Sequence, residues 1–116
     1  MGKRLVSELE GAELDYWVAR ALGLSNINKH PNGIWYSYSI DFSGYGELPR
    51  YSACWESAGP IIERERISIT THVPGKWYAS KEIDGDDWCL GDTPIMAAMR
   101  CFVASKFGEY VDCVEM

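Results

Sequence analysis

Four charges of alternating sign follow two isoleucines in the stretch Gly59-Pro60-Ile61-Ile62-Glu63-Arg64-Glu65-Arg66, and an apolar pattern then resumes at Ile67 and Ile69. Carboxylates set among cations can move protons if an environment shifts their affinity for them. They can equally anchor a corner through ion pairs. Arg100, at the border of a later apolar stripe, is the cation that could meet them. Two readings of Arg100 stand side by side: an exposed arginine, or a partly buried one paired with Glu63 or Glu65. Such a pair is more often structural than catalytic.

Nucleophilic chemistry has less support. Ser52-Ala53-Cys54-Trp55 faintly resembles the Cys-Trp of papain-type proteases. A thiolate nucleophile needs an imidazole within hydrogen-bond reach, and His30 and His72 are both distant in sequence. The flanking glycine and first cysteine of that motif are missing, and the chain is too short for that fold. Cys54, Cys89, Cys101 and Cys113 include no C-x-x-C pair, so zinc-ribbon and thioredoxin readings fail. They read as small buried hydrophobes of a reducing compartment. The acidic run at Asp84, Asp86 and Asp87 has Gly85 in second place, whereas a calcium loop needs glycine at its sixth position. No catalytic residue, metal or cofactor is expected.

Aromatic residues make the stronger case for binding. Trp35 falls on the polar face of its strand by parity, and Trp55 lies in a long irregular stretch. Exposed there, they would form a contact patch. Alternatively the stretch folds back and Trp55 plugs the edge of the core.

These residues must be positioned by a small set of elements. Residues 1 to 6 read as an extended lead-in. Ser7 with Glu10 three residues later reads as a capping box for a helix running to about Leu22. Leu14, Trp17, Val18, Ala21 and Leu22 form its apolar stripe, and Gly23 is its stop. Alternation predicts a strand over 34–42, a second over 65–72 and a third over 76–83. Residues 43 to 60 show no period and are expected as a long loop, with Pro60 opening one helical turn over Ile61 to Arg64. Thr93 then caps a second helix with Pro94 in its first position. Ile95, Met99, Phe102, Val103 and Phe107 are its inner stripe and Gly108 its end. Residues 110 to 114 suit a short final strand. The expected fold is α+β: two helices packed on one face of a small antiparallel sheet, in the order α-β-β-β-α, as a single domain over 1–116.

Composition narrows the function. With 116 residues, 47% hydrophobic and 13% aromatic, the chain can bury one core. A net charge of −6 and no Lys/Arg run beyond Lys3-Arg4 argue against direct nucleic-acid binding. No stretch approaches the ~18 apolar residues of a membrane span. The amino-terminal residues have no apolar export segment, so a cytoplasmic protein is expected.

Three blocks carry a family resemblance: SELEGAELDYWVARALG (7–23), CWESAGPIIERERISI (54–69) and GDTPIMAAMRCFVASKFGEYVD (91–112). Together they resemble the NinX-like family of small tailed-phage and prophage proteins, whose gene lies among dispensable accessory genes of lambdoid phages. The resemblance implies a phage accessory role and transfers no catalytic residue. The leading expectation is therefore a non-enzymatic module that binds a host or phage protein, with Trp35, Trp55, Glu63, Glu65 and Arg100 as candidate binding residues. The alternative is a small ligand-binding or hydrolytic enzyme, its site between loop 43–60 and the amino terminus of the last helix near Thr93, where anions are favoured. A third reading is an acidic mimic of nucleic acid. An exposed final strand would also permit a homodimer.

Overall fold

The computed structural model describes residues 2–24, 49–71, 73–81 and 88–112, together with the backbone at 27–29, 35–38 and 45–47. His30, His72, Cys113 and the acidic run at Asp84, Asp86 and Asp87 lie outside the described residues, as does the side chain of Trp35.

The elements run β1 (Lys3–Leu5), a 3-10 turn (Val6–Glu8), α1 (Gly11–Ala21), β2 (Ile27–Lys29), β3 (Trp35–Tyr38), β4 (Tyr45–Glu47), α2 (Trp55–Glu65), β5 (Ser68–Thr71), β6 (Trp77–Ser80), β7 (Cys89–Gly91), α3 (Pro94–Phe107) and β8 (Tyr110–Asp112). They form three small antiparallel sheets, ordered β1-β8, β2-β3-β4 and β5-β6-β7. The α+β class expected from the sequence is what the structure has.

The carboxy-terminal helix organises the core. Its start follows the expected rule: Thr93 Oγ1 accepts from the Met96 amide at 3.1 Å, and Pro94 occupies the first turn. The helix lies across β5-β6-β7, while α1 and α2 pack against it. Enclosed in this way, it buries more than one stripe. Ile95, Met99, Phe102 and Val103 are buried as expected, and so are Ala97, Ala98, Arg100 and Cys101. Phe107, expected inside, is largely exposed at the last turn and meets Trp17 edge-on at 5.3 Å. Small residues permit the helix-to-sheet approach. A Cβ on Gly91 would stand 2.4 Å from the Ala97 backbone nitrogen, so only glycine fits there.

Two local expectations are overturned by tertiary demands. The Ser7–Glu10 capping box does not form; residues 6–8 make a 3-10 turn, and α1 starts at Gly11 with Glu10 as its N-cap. Leu9 stays extended because its side chain is fully buried and its carbonyl is taken by Arg100. The rest of α1 follows the sequence, with Leu14, Trp17 and Val18 buried and Gly23 (φ +93) beyond its end.

The expected loop 43–60 is instead strand β4 followed by a full helix, α2, which begins at Trp55 and runs through Gly59-Pro60. Ala58, Ile61 and Ile62 supply its inner face. Proline in a helix normally clashes with the preceding residue's Cβ, and Gly59 has none. The donor missing at Pro60 would have served the carbonyl of Glu56, an exposed residue that water can satisfy. Arg66 closes α2 in the left-handed region (φ 56), with the Ile67 amide returning to the Ile62 carbonyl at 3.1 Å.

Two opposite mutational outcomes follow. Gly91→Ala should lower the free energy of unfolding in urea by about 1–3 kcal/mol, because α3 must move away from β7. Pro60→Ala, in the same assay, should raise it by at least ~1 kcal/mol by restoring a helical hydrogen bond.

Candidate functional site

A cleft of about 570 Å³ opens where the 50–55 segment faces the start of α3. Its walls include Glu10, Arg50, Trp55, Asp92, Thr93 and Met96. The alternative reading of the sequence, a ligand or enzyme site between loop 43–60 and the amino terminus of the last helix, concerns this same part of the surface.

A buried carboxylate holds the cleft's floor. Asp15, on α1, is only 8% exposed, and its Oδ1 accepts from the Ser52 amide at 2.7 Å. Ser52 Oγ lies 3.4 Å from the Gly11 carbonyl. The turn is tightened by the Arg50 carbonyl, which accepts from Ala53 and Cys54 at 2.9 and 2.8 Å. Burial pushes the Asp15 carboxyl above the ordinary carboxylate range; the Ser52 side-chain and backbone hydrogen bonds, and then Arg50, pull it part of the way back. Tyr51, beside it, is buried, and burial together with the Asp15 charge raises its phenol.

Tyr51, a member of the core cluster, fills the core edge, and Trp55 does not plug it. Trp55 itself begins α2 and is 54% exposed at the cleft rim. Cys54 precedes it as the N-cap and makes no side-chain capping bond.

The three charged candidates are not brought together. Arg100 is 9% exposed and donates from Nε to the Leu9 carbonyl and from Nη1 to the Leu90 carbonyl, each at 2.8 Å. Of the two readings of Arg100, exposed or buried and paired with Glu63 or Glu65, neither holds as stated: it is buried, and backbone oxygens satisfy the guanidinium. Burial lowers its proton affinity, while Asp92, Glu10 and Cys89 raise it. Glu65 accepts from Lys81 and from Arg64, both at 3.0 Å, and these bonds hold its carboxyl below the usual range. It ties the end of α2 to the end of β6. Glu63 is exposed on α2.

Other carboxylates are also matched with cations. Asp92 accepts from Lys76 at 2.7 Å, Asp112 from Lys3 at 2.8 Å, and Arg4 reaches Glu8 and Glu13. Among the described residues no three His, Cys, Asp or Glu side chains gather as a metal site, and no helix is long and apolar enough to cross a membrane.

Residues 5–106 match the family described as bacteriophage P22, NinX. The chain belongs to the NinX family. Among curated proteins none matches it. The match covers α1, α2, the β5-β6-β7 sheet and nearly all of α3, and with them every wall of the cleft.

Sequence reasoning missed Asp15, Arg50 and Tyr51. In sequence Asp15 is one of several acids in the early turns of α1. Its one distinguishing signal is position, next to Leu14 and two residues before Trp17, both of which face the core.

The Asp15 lock yields a pH prediction. Because its folded proton affinity is raised, the folded state holds the proton more tightly than the unfolded chain. Its contribution to stability therefore falls as pH rises from its ordinary pKa through the raised folded value. Asp15→Asn, which keeps an acceptor for Ser52, should flatten stability against pH in that window. Asp15→Ala should cost about 1–3 kcal/mol at neutral pH by leaving the Ser52 amide buried and unpaired. Urea unfolding across pH reads both.

Proposed function

We propose that this NinX-family protein is a non-enzymatic phage or prophage accessory module. It works in the cytoplasm of an infected or lysogenic bacterium and docks a segment of a host or phage protein at the Trp55 cleft. The observation that carries this reading is the exposure of Trp55. An indole at the rim of a cleft, with no packing duty in the core, suits an anchor for a protein partner, since tryptophan brings large contact area at little entropic cost.

The chemistry of the walls favours a segment carrying a basic side chain. Glu10 lines the cleft beside Arg50 and the Lys76-paired Asp92, and the exposed Glu56 follows Trp55 at the start of α2. The overall charge of −6 would speed the approach of such a partner. The alternative of a small anionic ligand at the start of α3 has less support. The Met96 and Ala97 amides already bond to Thr93, so the start of α3 has fewer open donors for an anion. Among the described residues Glu8, Glu13, Glu65, Asp92 and Asp112 are ion-paired, which weakens a reading of those carboxylates as a nucleic-acid mimic.

The test uses a photo-crosslinking residue at position 55 in infected cells, with binding to the captured protein then measured for purified variants. Trp55→Ala should weaken binding at least tenfold while shifting stability by less than about 1 kcal/mol. Glu10→Gln with Asp92→Asn should weaken it further at low salt. Unchanged affinity in Trp55→Ala would remove this cleft from the interface. Crosslinks only to a second copy of the chain would replace the partner with a homodimer.

A further inference from the structure

Two sulfurs meet where α3 rests on its sheet. Cys89 opens β7 opposite Ala79, and Cys101 lies at the middle of α3. Cys101 and Cys89 are near enough to interact, and neither is bridged. Both line a second cavity, of about 760 Å³, which Lys81, Trp88 and Ser105 also line. Cys89 is half-buried at this cavity and Cys101 is buried behind it.

The surroundings distinguish the two. Arg100, held on the Leu90 carbonyl one residue along from Cys89, interacts electrostatically with the Cys89 sulfur. Lys81 adds a second cation beside the pair. Cys89 is the half-buried sulfur at the cavity and Cys101 the buried one; interaction with Cys89 and burial push the Cys101 thiol up. Peroxide in the cavity therefore meets the outer sulfur first, and the outer sulfur is the nucleophile.

We propose that Cys89 and Cys101 form a reversible oxidation site for small peroxides. The Cys89 thiolate attacks one oxygen of hydrogen peroxide. A sulfur–oxygen bond forms, the oxygen–oxygen bond breaks, and hydroxide leaves, taking up a proton to become water. The Cys101 sulfur then attacks the Cys89 sulfenic acid. The sulfur–sulfur bond forms, the sulfur–oxygen bond breaks, and the hydroxyl departs with the Cys101 proton as a second water. Two thiols are oxidised by two electrons in all, and the peroxide is reduced. A dithiol reductant reverses the change. The bridge fastens β7 to α3 beside Arg100.

The test treats the full reduced chain with hydrogen peroxide and maps its peptides without reduction. The expected products are a crosslinked Cys89–Cys101 peptide pair, an intact mass lower by two hydrogens, and recovery of both thiols with dithiothreitol. A Cys54→Ser/Cys113→Ser variant should behave identically. Cys101→Ser should arrest the reaction at a Cys89 sulfenic acid that dimedone captures at least about tenfold faster than any product at Cys54. Should Cys101→Ser fail to fold, Cys89→Ala serves instead, and its Cys101 should resist peroxide. Preferential oxidation of Cys54 or Cys113, or over-oxidation of Cys89 with no bridge, would overturn the proposal.

Discussion

The fold depends on one guanidinium. Arg100 leaves the middle of α3 and binds two backbone carbonyls that belong to unrelated segments, Leu9 before α1 and Leu90 in β7. A buried charge without partners is strongly unfavourable. Only a chain path that brings both carbonyls to this point satisfies it. The extended backbone at Leu9, the 3-10 turn before it and the late start of α1 all agree with that demand. Replacing this arginine by lysine would keep the charge and lose the fork that reaches two acceptors at once.

The periodic parts of the chain were legible, and the reason is physical. Leu14, Trp17 and Val18 recur at helical spacing because α1 has one buried face. The stripe of α3 was equally visible, although the pattern could not show that Ala97, Ala98 and Cys101 would be buried too. Neighbours on several sides bury a helix all round, and a single stripe understates that. The third strand of the α3-covered sheet, Cys89–Gly91, is too short for alternation to reveal. Helix α2 was hidden by Gly59-Pro60, which reads as a corner wherever tertiary packing does not override it. Its Ala58, Ile61 and Ile62 spacing was the available clue.

Of the candidate binding residues, Trp55 lines the cleft beside Thr93. The charged candidates do not: Glu65 and Arg100 have structural partners, and Glu63 is exposed on α2. Their pattern in sequence reflects a helix end and a backbone staple. Asp15, by contrast, sits among ordinary early-helix acids. A long-range bond to Ser52, 37 residues away, gives it its role. Such a bond leaves no local trace.

β1 and β8 pair across almost the whole length of the chain, with Lys3 opposite Asp112, Arg4 opposite Val111 and Leu5 opposite Tyr110. The Val6 amide extends the junction to the Glu109 carbonyl at 2.9 Å. Contacts of this sequence separation are slow to form. The lead-in to α1 is therefore fastened late in folding, after the local turns of α1 and α3, and Leu9 is covered only once that pairing and the Arg100 bond are both made.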